Sequence, residues 1–437
     1  MTVDVDPTGI RLRRTGLGLD PALLLGVALR RNPRRAHLLV SRVLGKHVPT
    51  EPRLVRAAGL LLGGLAGDAV DGAVPRALPQ PRLAAAVGGD ASAAAGLHAT
   101  VLPAPEGLRD VLVLGFAETA TALGHCVAEA LGADYLHSTR RPVAGFAPAG
   151  AFVEEHSHAT DHLLLPADPA LLHGRRPLVL VDDELSTGRT ALNTITALHR
   201  LAPRERYVLA ALVDLRPPGG ELAERVRALG AHLDVVALAR GAVHLSADLA
   251  TRVPAGALPE PLVGAPRPVP RVDLRELGWP AELPAGGRHG VTGAQHRALA
   301  AALPGLAAGV ARAAQLRRDE RVLVLGTEEL MHLPLRIAQT LADQGHRVAF
   351  STTTRSPAAV VDADGYALRS GLAFPAHDDP PDGPGTRYAY NLGTPDSEPW
   401  DHTLVVVDPP ADTPGLHTGL LAALAPRARR TTLVVTP

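Results

Sequence analysis

The chain is nearly without lysine: of its 44 basic residues 43 are arginine, and Lys46 is the single exception. It has one cysteine, Cys126, which excludes an internal disulfide, and it has no Cys/His spacing of a zinc site. A reducing cytoplasm is the expected setting. Phe, Trp and Tyr together make up 3%, which leaves little for stacking on bases. Lys+Arg and Asp+Glu cancel at 44 each, so no basic excess points to nucleic acid. Long apolar runs are missing too. The N-terminus is polar where a signal peptide carries an apolar core, and LLLGVAL (23–29) and GLLLGGLAG (59–67) are too short to span a bilayer. Nucleic acid and membrane are thereby excluded as default partners.

What is present is a large apolar fraction, 46% of 437 residues, enough for two or three domains at roughly 150 residues each. Abundant Ala, 43 Gly and 40 Pro, with arginine in place of lysine, fit a biased, GC-rich genome, which makes residues that resist the bias informative. The aliphatic runs VLVLG (111–115), PLVLVDD (177–183), YVLAALVDL (207–215) and LDVVALA (233–239) read as parallel strands buried on both faces, alternating with helical spacing. That pattern predicts an α/β fold. Residues 251–287 are proline-dense and without periodicity, as a linker is. The pattern resumes with RVLVLG (321–326), RVAFSTTT (347–354) and TLVVVD (403–408), giving expected units at 1–250 and 288–437. The halves also resemble each other. VLVLG and STRRP (138–142) recur as VLVLG (322–326) and TTRSP (353–357), and LVLVDDELSTG (178–188) is echoed by LVVVDPPADTP (404–414). The second acid and the loop chemistry are lost in the later copy, which reads as a degenerate duplication.

The strongest chemical signal is VLVDDELSTGRT (179–190), a strand ending in acids followed by a small-residue loop that opens a helix. Amides and hydroxyls at such a helix start suit a phosphate, favoured by the helix dipole. The adjacent carboxylates Asp182 and Asp183 suit vicinal hydroxyls or a nearby magnesium ion. An ordinary strand-to-helix turn with a Ser or Thr N-cap is the alternative; two acids followed by S-T-G-x-T favour a site. The segment resembles the motif by which type I phosphoribosyltransferases bind phosphoribosyl diphosphate (PRPP). The resemblance implies that Asp182 and Asp183 hold the ribose hydroxyls while Ser186, Thr187, Gly188, Arg189 and Thr190 cradle the 5′-phosphate. Glu184 departs from the usual apolar or small residue and indicates a distinct subfamily.

Other segments fit beside it. Gly115, Phe116, Ala117, Glu118 and Thr119 form the strand-to-helix turn where these enzymes bind the diphosphate, and Arg140 and Arg141 offer guanidinium groups to a departing diphosphate. FVEEHSHATDH (152–162), with His156, His158 and His162 among three acids, reads first as a mobile flap over the substrate, second as a metal site, third as a solvated loop. Lys46, in LGKH (44–47), reads as a residue kept because a compact ammonium works where a planar fork does not.

LGKH, GFAETA, EEHSHA, DDELSTG and TTTRSP in combination are similar to the two-domain phosphoribosyltransferase-like proteins with a C-terminal TRSP domain, found beside bacterial tellurite-resistance and stress genes. The resemblance implies a type I parallel sheet with an N-terminal hood and a second α/β domain. It also implies Mg²⁺-dependent transfer of ribose 5-phosphate from PRPP to a nucleobase-like acceptor, with other enzymes of the operon as candidate partners and a homodimer as a compatible state. Glu118, His156 or His158 would deprotonate the acceptor, and Arg140, Arg141 and Lys46 would stabilise the diphosphate. Arg288, His289, Glu328, Glu329, Thr354, Arg355, Ser356, Tyr390 and Asn391 are expected to line a second ligand site on the C-terminal domain. A PRPP-binding regulator without turnover, or the reverse cleavage, are the rival readings.

Overall fold

Two largely parallel sheets are built from the aliphatic runs. The computed structural model describes residues 8–437 except 17, 31, 33–34, 103–108, 153–161, 218, 220, 255, 378–384 and 395–396. The first sheet has six strands in the order Ile10–Arg14, His232–Leu245, Arg206–Asp214, Leu178–Leu185, Leu112–Gly115 and Asp134–His137, with Ile10–Arg14 alone antiparallel to its neighbour. Leu178–Val181 are wholly buried, as a strand covered on both faces must be. In the register Gly115 lies beside Val181, so Asp182–Leu185 run past the end of the neighbouring strand. This places the two acids at the carboxyl ends of the strands, where α/β sheets open a crevice.

The second sheet has five parallel strands: Arg271–Asp273, Ala428–Val435, Trp400–Val407, Arg321–Gly326 and Arg347–Thr352. Its four longer strands follow the same order and direction as their counterparts in the first sheet. The proline-dense segment is more than a connector. Arg271–Asp273 supply the edge strand, and Trp279 is buried with its Nε1 donating to the Leu283 carbonyl at 2.9 Å. Three residues are too few to show alternation, which hid this strand in the sequence.

The halves share one core. Leu62, Val127 and Val179 belong to the same apolar cluster as Leu303, Val324 and Phe350. The helix Pro52–Asp71 packs on both Thr121–Leu131 and His332–Asp343. It lies close to the first of these because Gly59 and Gly63 carry no Cβ, which would come within 2.5 Å of Cys126 and Ala130. The hood is the antiparallel pair Leu25–Leu29 and His37–Ser41, and its Ala28, Leu38 and Val40 pack with Ala358, Tyr366 and Leu368 of the second half. Among the described residues no helix is long and apolar enough to cross a membrane.

A buried polar cluster lies where the helices meet. Glu129 is bonded to Arg56 and Arg336, and accepts from His332 Nε2 at 3.0 Å. His125 stacks on His332 at 3.9 Å and meets His296 at 2.9 Å. Burial pushes the His296 ring down to about 4, so it is neutral at physiological pH. Burial alone would raise the Glu129 carboxyl, but Arg336, Arg56 and His332 outweigh it and hold it well below the carboxylate range. Removing that charge strands two guanidinium groups in the core. Glu129→Gln is therefore expected to cost about 3–5 kcal/mol. Calorimetry should show both halves unfolding in a single, lowered transition; a transition confined to one half would contradict the shared core.

Candidate active site

A cleft of about 720 Å³ opens at the strand ends, and its walls come from both halves. One wall is the acid-loop-helix segment. Asp182, Asp183 and Glu184 are half-buried at the end of their strand, Ser186 and Thr187 are exposed, and Thr190 and Ala191 open the helix Arg189–Leu201. Asp182 Oδ1 accepts from the Asp183 amide at 2.9 Å, and Glu184 is bonded to Arg35 of the hood. Gly188 turns the chain with φ +77°, and a Cβ there would strike Leu222 at 2.9 Å. Gly188 at the N-cap offers no side-chain acceptor, and the Arg189 amide donates to Thr187 Oγ1 at 3.3 Å, so the loop and the helix start present amides and hydroxyls together.

The second wall is the turn Phe116–Thr119. Lys46 Nζ lies 2.6 Å from Thr119 Oγ1 and 3.5 Å from Glu118 Oε2, and Arg140 lines the same end. The Lys46 side chain is 8% exposed, so its ammonium is nearly desolvated and aimed at this turn. Thr354 of the second half donates to Glu118 Oε2 at 3.2 Å. Among the described residues, the buried Glu118 Oε1 has no hydrogen-bond partner. The sequence places Ser138 beside the arginine pair and His162 in the flap segment, but gives no sign that the two meet. Ser138 Oγ accepts from the Ala117 amide at 3.0 Å and meets His162 Nδ1 at 2.8 Å, which fixes the turn. Nothing in their spacing, 24 residues apart, signals that contact. His156 and His158 lie outside the described residues; the strands Gly150–Phe152 and His162–Leu164 that frame them pair antiparallel.

The third wall joins the hood, through Leu38, Leu39, Ser41 and Leu44, to Arg355, Ser356, Pro357 and Tyr388 of the second half. The expected separate site on the second half is therefore corrected. Arg355 and Ser356 face the same cleft as Asp182, because the hood and residues 358–390 share a core. The other candidates do structural work. Tyr390 Oη donates to the Ser356 carbonyl at 2.9 Å, Asn391 Nδ2 donates to the His47 carbonyl at 3.0 Å, and His289 stacks on Phe146 at 3.7 Å. Arg141 does not line the cleft: the buried Glu328 takes it at 2.6 Å, along with Arg387 at 2.5 Å and Arg355 at 3.6 Å. Glu329 accepts from Thr139 Oγ1 at 2.9 Å and pairs with Arg288 at 2.9 Å.

A family model described as phosphoribosyl transferase matches residues 24–242, half of the chain. The chain belongs to that family. A second model, the TRSP domain found C-terminal to this transferase, matches residues 285–424. No curated protein matches the chain. Solved structures similar to this chain include adenine phosphoribosyltransferase from Trypanosoma brucei, at 15% identity over 31% of this chain and 58% of that one, with a TM-score of 0.23. The Thermoanaerobacter pseudethanolicus enzyme of the same name is similar at 20% identity over 38% of this chain and 88% of that one, with a TM-score of 0.23. Orotate phosphoribosyltransferase from Aeropyrum pernix is similar at 20% identity over 30% and 60%, with a TM-score of 0.18. The α/β architecture expected from the sequence, with its second α/β domain, is the one found.

The groups around Glu329, drawn from both halves, give a pH dependence with a definite sign. Burial alone would raise the Glu329 carboxyl, but Arg288, His137, Arg141 and the Thr139 hydroxyl outweigh it and hold it at about 2. A depressed carboxyl stabilises the fold above its ordinary value of 4.5, and that contribution is lost as the pH falls towards about 2. Urea unfolding should show Glu329→Gln less stable than the parent at neutral pH, with the gap closing across that window. A gap independent of pH would contradict the assignment.

Proposed function

We propose that the cleft transfers ribose 5-phosphate from PRPP to a small, nucleobase-like acceptor and releases diphosphate. The observation that carries this reading is the convergence in one cleft of Asp182–Asp183, the 186–190 loop, the Phe116–Thr119 turn, Lys46 and Arg140. Asp182 and Asp183 accept hydrogen bonds from the ribose 2′ and 3′ hydroxyls, and the loop and helix start hold the 5′-phosphate. Lys46, Arg140 and the amides of the turn face the diphosphate and stabilise charge as the C1–oxygen bond breaks. Fixing sugar and diphosphate separately places C1 before the acceptor, so much of the catalysis is positioning.

The acceptor occupies the third wall, between the apolar hood residues and Arg355–Pro357. Glu118, whose Oε1 has no partner among the described residues, is suited to take the acceptor's proton, with His156 and His158 the alternatives from the 153–161 segment. Among the described residues no cluster of three or more ligands forms a metal cage. The half-buried pair Asp182 and Asp183 fits a magnesium ion shared with the substrate, since Mg²⁺ keeps waters and binds through one or two carboxylates plus phosphates. Bound there, the ion would lower the charge of the diphosphate. The TRSP resemblance supports a place in a stress-related metabolite pathway.

Two variants test the reading. Asp182→Asn with Asp183→Asn should lower PRPP-dependent diphosphate release at least about 100-fold; full activity would sink the assignment. Lys46→Arg should lower turnover as well, because a planar fork does not reproduce a 2.6 Å bond to Thr119 in so enclosed a space. Wild-type turnover in that variant would mean the lysine survived by chance. PRPP bound by the parent but never consumed with any acceptor fraction of a cell extract would overturn the enzyme reading in favour of a sensor.

A further inference from the structure

Contacts between the two halves come in matched pairs. Gly45-Lys46-His47 and Gly287-Arg288-His289 share a Gly-basic-His pattern, and each leads through a threonine, Thr50 or Thr292, into a long helix, Pro52–Asp71 or Gly293–Ala313. Each segment lies on the edge strand of the opposite sheet. Thr50 exchanges backbone hydrogen bonds with Phe350 at 2.9 and 2.8 Å, and Val291 does the same with Tyr135 at 2.8 Å. Gly45 faces the Phe350 ring as Gly287 faces the Tyr135 ring, and a Cβ at either would come within 2.4 Å. The basic residue of each segment then pairs with the glutamate after a VLVLG strand, Lys46 with Glu118 at 3.5 Å and Arg288 with Glu329 at 2.9 Å. That same glutamate accepts from the opposite half's threonine: Thr354 on Glu118 at 3.2 Å, Thr139 on Glu329 at 2.9 Å. Reciprocal contacts of this kind define a two-fold interface, here drawn within one chain.

The two equivalent places differ in the side chains that fill them. Where the cleft is open, Ala117 and Ser356 line it; their counterparts, Glu328 and Arg141, are bonded to each other at 2.6 Å. Arg387 adds a second guanidinium on Glu328 at 2.5 Å. The second acid of Asp182-Asp183 is matched by a proline in Asp408-Pro409.

We propose that the chain is a covalently joined pseudo-dimer in which the second copy has closed its own site with the Arg141–Glu328 pair and completes the first, Thr354 acting as a positioning residue that holds Glu118 beside Lys46. The proposal rests on the phosphoribosyl-transfer reading only for the identity of the ligand. Lys46 is the one lysine of the chain, so modification of the full-length protein by an amine-reactive ester, followed at this residue by peptide mass spectrometry, reads its environment without any ligand. Thr354→Val should speed that reaction and weaken PRPP binding, each about fivefold, the value of one lost hydrogen bond. Thr354→Ser should restore both. Thr139→Val, the matched change at the closed place, should leave Lys46 modification unchanged while lowering thermal stability. Equal effects of Thr139→Val and Thr354→Val, or no effect of Thr354→Val on Lys46, would overturn the proposal. If the parent takes up no PRPP, the transfer reading falls, and Lys46 modification still decides this one.

Discussion

Two adjacent carboxylates, Glu328 and Glu329, are buried where the halves meet, and the placement of the cleft depends on how their charge is met. Arg141, Thr139 and the Arg140 amide come from the first half; Arg288, Arg387 and Arg355 come from the second. Desolvated charges of this kind are tolerated when several donors surround them, and removing one side leaves a penalty far larger than the pair's net worth. The halves are thereby fixed in one arrangement. That arrangement sets Arg355, Ser356 and Tyr388 across from Asp182 and Asp183, and it lays the Lys46 segment on the second sheet so that its ammonium reaches the Phe116–Thr119 turn.

Global neutrality and a polyanionic ligand are compatible under this scheme. The chain has no net charge, yet the cleft gathers Lys46, Arg140 and Arg189 beside the start of a helix. Much of the remaining arginine is spent internally, on Glu129, Glu328, Glu329 and on backbone carbonyls, as Arg204 illustrates with three of them. An arginine-rich composition therefore carries less information about ligands than the position of a single lysine.

The strand runs, the α/β class and the acid-loop-helix motif were legible in the sequence because each is local: an aliphatic run of four to eight residues, or a loop contiguous with its strand. The resemblance between VLVLG and its later copy was legible for the same reason. What was not legible depends on contacts between residues far apart in the chain. Arg141 sits next to Arg140 in the sequence but turns to a glutamate 187 residues on. The TTRSP segment reads as a site of its own until the shared core of Ala28, Leu38 and Ala358 brings it over the first half's cleft. The likeness of the Gly-Lys-His and Gly-Arg-His segments to each other is too short to stand out in the sequence, and their exchanged edge-strand pairing gives it meaning.

One site per chain, built by both halves, is the central claim. Its most direct test is a calorimetric titration of the full chain with PRPP in the presence of Mg²⁺. One equivalent bound per chain is expected. Two equivalents, one for each half, or none at all would contradict it.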